Sequence, residues 1–326
     1  LATPKTVTDN IAKPDWVVID CRDKAEYEKE HVSGAIYLGD RCDKVMRDKT
    51  SRIKKTADLE KLLGEAGISE NMHVVVYGKA GDPTRATVGF WILETLGHKN
   101  VYFLNGGFEG YKAAGGKVDN VAVTKPKATY KATYTASRHA STKEMLDIAT
   151  GVVKGEDVQV IDSRTSGENK GSDIRALRGG AIQGTDIQVS HVDTYDSKTG
   201  VIKSMDELEK LFGKLDKSKR TIAYCQTGTR STLTYLELRL MGFADPANYD
   251  DSWIVWGSNV NYPVINENWF DFNAVKSGKS KSWDQAVEDV AAIKTDIEAT
   301  KKELAEVKKT ADEAKKTADE VKAVGK

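Results

Sequence analysis

Four landmarks in the first half of this chain recur, in the same order, in its second half. Val18-Ile19-Asp20-Cys21-Arg22 returns as Val160-Ile161-Asp162-Ser163-Arg164, and His31-Val32-Ser33-Gly34-Ala35-Ile36 as Leu177-Arg178-Gly179-Gly180-Ala181-Ile182. His73-Val74-Val75-Val76-Tyr77-Gly78 returns as Arg220-Thr221-Ile222-Ala223-Tyr224-Cys225, and Leu96-Gly97 as Met241-Gly242. The partners stay 142 to 147 residues apart. A chain that repeats itself over this distance folds as two copies of one domain, and whatever one copy's pattern dictates must hold twice.

Within each copy the pattern alternates. Residues 17–20 and 158–162 are short apolar, β-branched runs that end on a charged residue, as buried parallel strands do. Residues 57–66 and 205–215 carry apolar positions at helical spacing. Each is followed by a further strand, 74–77 or 222–224, and then by a long helix, 84–96 or 231–241, closed by a glycine. Strands separated by helices predict three-layer α/β/α domains with mainly parallel central sheets. The boundaries follow as 1–118 for the first copy, 119–135 for a linker and 136–275 for the second copy.

Beyond them, residues 276–326 form a linker and a tail of different character. Lys276-Ser277-Gly278-Lys279-Ser280-Lys281-Ser282 has the composition of a flexible linker. From Ala286 the positions Val290, Ile293, Ile297, Thr300, Leu304, Val307, Ala311, Ala314, Ala318 and Val321 follow steps of four and three. This heptad seam predicts a long, coiled-coil-like helix, with a solvated single helix as the alternative. A partner for the seam, either a second copy of the chain or an envelope protein, would meet residues 284–326.

Charge excludes several classes of partner. The 326 residues hold 49 Lys and Arg against 49 Asp and Glu, and no large basic block, which argues against nucleic acid. No apolar stretch reaches the roughly 18 residues of a membrane span. The three cysteines, Cys21, Cys42 and Cys225, are too few for a disulfide scaffold, and neither they nor the five histidines have metal-site spacing. No cofactor or metal site is expected. Cys21 and Cys42 are expected to be separate free thiols, with pairing in an oxidising compartment as the alternative. The polar opening at Leu1 fits a processed chain, which favours the periplasm or cell envelope over the cytoplasm.

The residues best suited to chemistry are Tyr224-Cys225-Gln226-Thr227-Gly228-Thr229-Arg230-Ser231. A strand delivers Cys225 to its carboxyl end and a helix starts after Arg230, so the loop lies where open α/β sheets bind ligands. Successive backbone N–H groups and the helix N-terminus favour thiolate over thiol, which makes the sulfur nucleophilic. Gly228 permits the curvature, and Gln226, Thr227, Thr229 and Arg230 line the space for an anion above the sulfur. The Cys-x4-Arg spacing is one residue shorter than the Cys-x5-Arg cradle that encloses phosphate. A smaller ring suits the terminal sulfur of a persulfide.

These motifs resemble the tandem rhodanese family of sulfurtransferases. The matching residues are Ile161-Asp162-Ser163-Arg164, Gly180-Ala181-Ile182, the 225–230 loop and the run Tyr249-Asp250-Asp251-Ser252-Trp253-Ile254-Val255-Trp256-Gly257. Glu26-Tyr27 with His31-Val32-Ser33-Gly34-Ala35, and Asn105-Gly106-Gly107-Phe108, supply first-copy counterparts. The resemblance covers roughly residues 5–275. It implies a catalytic second copy, a degenerate first copy with Gly78 at the position of Cys225, and a cleft between them. It further implies a small sulfur-containing anion such as thiosulfate as donor and a thiol or protein as sulfur acceptor. Glu168 stands where thiosulfate-acting members carry a cation shortly after the Asp-x-Arg motif.

Asp20/Arg22 and Asp162/Arg164 are expected to form ion pairs at strand ends, with a share in anion binding kept for Arg164. Trp253 and Trp256 are expected in the core. Two other readings use the same residues. One is a non-catalytic binding or scaffold protein assembled through its tail; the other is a thiol enzyme acting on selenium, tellurium or arsenic oxyanions.

Overall fold

The repeated strand-and-helix pattern builds one sheet topology twice. The computed structural model describes residues 1–153 and 157–273. In the first copy the strands are β1 (Trp16–Asp20), β2 (Ile36–Tyr37), β3 (His73–Tyr77) and β4 (Val101–Phe103). They pair in the order β2-β1-β3-β4, all parallel. In the second copy β5 (Val158–Asp162), β6 (Ile187–Gln188), β7 (Arg220–Tyr224) and β8 (Asp245–Tyr249) pair as β6-β5-β7-β8, again all parallel. The α/β architecture with parallel central sheets is therefore as the sequence pattern implies.

Alternation along the strands decides what each sheet face meets. Val17, Ile19, Val74 and Val76 point to one face of the first sheet, and Trp16, Val18, Val75 and Tyr77 to the other. The helices α1 (Cys42–Val45), α2 (Thr56–Glu65) and α3 (Thr84–Thr95) contribute to the first face. In the second copy α4 (Thr142–Ala149) and α7 (Ser252–Trp256) cover one face, and α5 (Met205–Phe212) and α6 (Ser231–Leu240) the other. Helix α5 stops at Phe212, short of the expected residue 215, with Gly213 as its C-cap residue.

One continuous apolar core runs between the copies, joining Trp91 and Leu93 of α3 to Leu233, Leu236 and Leu238 of α6. At its centre Thr87 Oγ1 and Thr232 Oγ1 are 2.8 Å apart and buried. The Tyr235 hydroxyl donates to Glu94 Oε2 at 2.5 Å, and Arg239 bonds to the same carboxylate. Residues Leu1–Phe270 form one compact unit. The expected linker is a strap along the first copy, held by Ala128 N to Gly64 O, Ala132 N to Glu60 Oε1 and Thr133 N to Leu96 O, each at 2.9 Å.

Two expectations change. Cys21 and Cys42 form a disulfide, where separate thiols were favoured. Cys21 follows β1 and Cys42 opens α1, and the bare Cα of Gly89 on α3 leaves room for the bridge: a β-carbon there would stand 3.3 Å from Cys42 Sγ. In addition, Val264–Trp269 pairs antiparallel with Arg178–Ile182, a strand the sequence pattern does not announce. The 276–282 linker and the heptad-patterned tail lie outside the described residues. Among the described residues no helix is long and apolar enough to cross a membrane.

Candidate active site

Strand β7 lies between β5 and β8 and ends on Tyr224, so Cys225 emerges at the carboxyl edge of the sheet, fully buried, with α6 starting at Ser231. Every carbonyl from Cys225 to Thr229 is taken by a donor. Trp253 N–H donates to Cys225 O at 3.0 Å and Ile254 N–H to Gln226 O at 2.9 Å. Arg47 Nη2 donates to Thr227 O, Asn248 Nδ2 to Gly228 O at 3.2 Å, and Thr232 Oγ1 to Thr229 O at 2.7 Å. Engaging the carbonyls from outside leaves loop N–H groups, those of Thr227 and Ser231, to act on the sulfur, which is how a backbone nest for an anion is built. Gly228 is required here, since its φ is +67° and a β-carbon would come within 2.4 Å of Asp250 Cα.

The sulfur has a polarising environment. Cys225 N–H donates to Ser252 Oγ at 3.1 Å, and that hydroxyl donates to Tyr249 O at 2.6 Å. The Ser231 hydroxyl lies 3.4 Å from Cys225 Sγ and 2.6 Å from Asn248 Oδ1. Its single hydrogen serves one acceptor at a time. Burial alone would push the thiol up. The Arg230 charge, the Ser231 hydroxyl and the N–H groups of Ser231 and Thr227 outweigh burial, and the net shift is downward. The surroundings thus shift the balance from thiol toward thiolate.

Arg230 does not stand free. Its Nη1 and Nη2 donate to Glu168 Oε2 and Oε1 at 2.8 and 2.7 Å, a bidentate pair. Glu168 is fully buried and also accepts from Thr165 N–H and Oγ1 at 3.1 Å each. Burial raises its pKa, but Arg230 and the Thr165 N–H bring it down to about 2. Of the other loop side chains, Gln226 turns away from the anion space expected of it and the two threonines face each other. Gln226 Nε2 donates to Arg175 O at 2.7 Å, while Thr227 and Thr229 bring their hydroxyls to 3.4 Å of one another.

Arg164, named from sequence as an anion-holding residue, is buried and committed elsewhere. It donates to Asp162 and, at 2.6 Å, to Gly180 O, and its guanidinium carbon sits 4.3 Å from the centre of the Trp253 ring. Among the described residues it makes no hydrogen bond to the 225–230 loop. The ion pairs expected at Asp20/Arg22 and Asp162/Arg164 are present, and Trp253 and Trp256 are core residues.

Three features were not legible in the sequence. The first is a hairpin from the first copy, with Arg47 paired to Ile53, which lies across the site. Arg47 Nη1 donates to Thr229 Oγ1 at 2.7 Å, Ile53 N–H to Asp250 Oδ2 at 2.9 Å, and Arg52 pairs with Asp251. The second is the pair of Asn248 and Ser252, which shape the loop from β8 and α7. The third is His191, whose N–H donates to Ser163 O at 3.1 Å and whose buried Nδ1 has no hydrogen-bond partner among the described residues. Burial and the charge of Arg230 depress its pKa to about 4, so the ring is neutral at pH 7.

Both copies match the Rhodanese-like domain, over residues 3–114 and 147–259, and the chain belongs to the rhodanese family. A thiosulfate sulfurtransferase of Corynebacterium glutamicum is 31% identical over 264 residues, spanning 76% of this chain and 84% of that protein. One from Mus musculus is 31% identical over 247 residues, 72% and 79% of the two chains. In fold, the chain resembles the 3-mercaptopyruvate sulfurtransferase SseA of Escherichia coli, at 20% identity and a TM-score of 0.66 over 78% of this chain and 98% of that one. YnjE gives a TM-score of 0.69 at 24% identity over 81% and 67%. The two thiosulfate sulfurtransferases support a sulfurtransferase, and the two solved structures the fold.

Proposed function

We propose that the second copy is a sulfurtransferase that carries sulfane sulfur on Cys225 and that thiosulfate, or an anion like it, is the donor. The observation that carries this reading is a buried cysteine held at the base of a loop whose carbonyls are all engaged from outside, with its thiol shifted toward thiolate. The Cys225 thiolate attacks the outer sulfur of thiosulfate. The S–S bond of the donor breaks, sulfite leaves with its electron pair, and Cys225 becomes a persulfide. A thiolate acceptor then attacks the terminal sulfur, a new S–S bond forms to the acceptor, and the Cys225 thiolate returns. The loop's N–H groups and Arg230 stabilise the negative charge on the terminal sulfur. Gln226, Thr227, Gly228 and Thr229 set the width of the cradle.

Intact mass after incubation with thiosulfate tests this directly. The chain should gain the mass of one sulfur, and Cys225→Ser should gain nothing. A sulfur adduct on Cys225→Ser, or none on the native chain with any sulfane donor, overturns it. The Cys21–Cys42 disulfide favours an oxidising compartment, the periplasm or cell envelope. We assign to the heptad seam of residues 284–326 a docking or oligomerising role outside the chemistry. Sedimentation of the full chain and of a chain ending at residue 283 checks it, and equal oligomeric states with equal partner binding would remove that role.

A further inference from the structure

The reading of Cys225 as the sulfur carrier leaves the first copy without a task beyond packing, because Gly78 stands where a thiol would be needed. We propose that Arg47 is a positioning residue of the Cys225 loop, through which the first copy governs the reactivity of a sulfur it does not contain. The inference rests on the function proposed above and adds a part to that site.

The geometry is specific. Arg47 is 2% exposed, so its guanidinium is withdrawn from water and must be met by acceptors. Its three nitrogens are divided between two domains. Nε donates to Ser51 O within its own hairpin, Nη2 to Thr227 O and Nη1 to Thr229 Oγ1 across the interface. Of the five loop carbonyls, Thr227 O is the one held by a charged donor and the one held by the first copy. Fixing that carbonyl fixes the peptide that follows it, and with it the turn at Gly228. A rigid fork suits this task; an ammonium would supply charge without the two-point grip.

Charge adds to geometry. Cys225 is surrounded by the Arg230 and Arg47 charges, of which Arg230 is paired with Glu168. Arg47 is itself faced by Asp43 and Asp48 from its own segment and by Asp250 from the second copy. Asp250 in turn is bonded to His139 Nε2 at 2.8 Å. Among the described residues no carboxylate hydrogen-bonds to Arg47, so a share of its positive charge remains directed at the loop. The delivering segment is fixed on both sides, by the Cys21–Cys42 disulfide that anchors α1 and by Ile53 on Asp250.

The test uses the full chain with Arg47→Met, Arg47→Lys and Thr229→Val. One readout is the pH dependence of Cys225 alkylation by iodoacetamide, followed by mass. The other is the single-turnover rate of persulfide formation from thiosulfate. Arg47→Met should move the alkylation midpoint to higher pH and slow persulfide formation about 10-fold to 100-fold, the scale of a displaced reacting group. Arg47→Lys should restore the midpoint but not the rate, and Thr229→Val should slow the rate less than Arg47→Met. An unchanged midpoint and rate in a folded Arg47→Met overturns the proposal. Should that variant not fold, native rates in both Arg47→Lys and Thr229→Val overturn it. Alkylation needs no sulfur transfer, so the two readings separate. A shifted midpoint without persulfide in any variant removes the proposed function and leaves the positioning role. Persulfide on the native chain with a native profile in Arg47→Met does the reverse.

Discussion

The loop after β3 and the loop after β7 have the same length, with a helix starting six residues after Gly78 and six after Cys225, yet they are put to different ends. Much of their surroundings is shared. Phe108 N–H donates to Gly78 O at 2.9 Å as Trp253 N–H does to Cys225 O at 3.0 Å. Tyr77 donates to Asp20 as Tyr224 does to Asp162, and Arg22 stacks on Phe108 as Arg164 does on Trp253. Each copy also lays a hairpin over the other's loop. Arg47 reaches Thr227 and Thr229, while in return the Tyr195 hydroxyl reaches Gly81 O at 3.4 Å. The loops differ in what fills them. The first has closed on itself, with Lys79 bridged to Asp82, and a β-carbon on Gly78 would meet Asp82 O at 3.2 Å. The first loop lacks both a thiol and the space for one, while the scaffold that would orient it is present in both copies.

The most severe way to break this comparison is to return the thiol. Gly78→Cys in a Cys225→Ser background should yield no persulfide with thiosulfate, because the side chain enters a collapsed loop. Thr84, at the position of Ser231, gives its hydroxyl to Asp82 at 2.5 Å, and Gly107, at the position of Ser252, has none to give. A gain of sulfur mass by that double variant would show that the first loop still forms a working cradle.

Next in size is the bidentate Glu168–Arg230 pair, whose counterpart in the first copy is a looser contact of Glu26 with Lys79 at 3.7 Å. Glu168 has its pKa depressed from 4.5 to about 2. A depressed carboxylate contributes stability that is present above its unfolded value and is lost as pH falls from about 4.5 through about 2. The contribution at neutral pH is roughly 3 kcal/mol by linkage. Glu168→Gln should therefore lower stability in urea at pH 7 by about that amount and lose most of the deficit near pH 2. It should also lower the KM for thiosulfate, since Arg230 is released to an anion. Unaltered acid sensitivity in the variant would assign the pair no role in stability.

A device of comparable size belongs to the first copy. The Cys21–Cys42 bridge closes a loop with a sequence separation of 21. Loop-closure entropy sets its worth at about 3 kcal/mol. The double replacement Cys21→Ser/Cys42→Ser should lower unfolding stability by that order and still acquire sulfur on Cys225. Failure of the variant to form any persulfide would make the bridge part of the site.

Much of this was legible in one sequence. The duplication, strand centres and the Cys225 loop follow from periodicity and spacing, which are local. Arg47 was not legible, because Met46-Arg47-Asp48-Lys49 reads as an ordinary polar turn and gains its meaning only when the copies dock. Glu168 was legible as an anomaly of charge but not as the partner of Arg230, 62 residues away. The disulfide depended on Gly89 leaving room on a helix distant in sequence from both cysteines. Arg164 was legible as the partner of Asp162, while the share in anion binding kept for it meets a guanidinium spent on Asp162 and Gly180.

The smallest expected effect separates the copies by pH. Where the chain enters the second copy, Ala140 N–H donates to Asn248 O as Ala2 N–H does to Phe103 O in the first, so His139 stands where the first copy has Leu1. Burial lowers the His139 pKa, but the bond to Asp250 and its charge outweigh burial and the net shift is upward from 6.5. A raised base contributes stability that is full below its unfolded value of 6.5 and is lost as pH rises through the folded value. The carboxyl partner is shifted the other way: burial raises Asp250, His139 and the Ile53 N–H lower it, and the net direction is down. As pH rises from about 6.5 to the alkaline side the native chain should thus lose about 1 kcal/mol or less, the scale of a partly exposed pair. His139→Gln keeps a donor for Asp250 without a titrating group, so its stability should be flat over the same window. An equal slope in both proteins would place the alkaline sensitivity outside this pair.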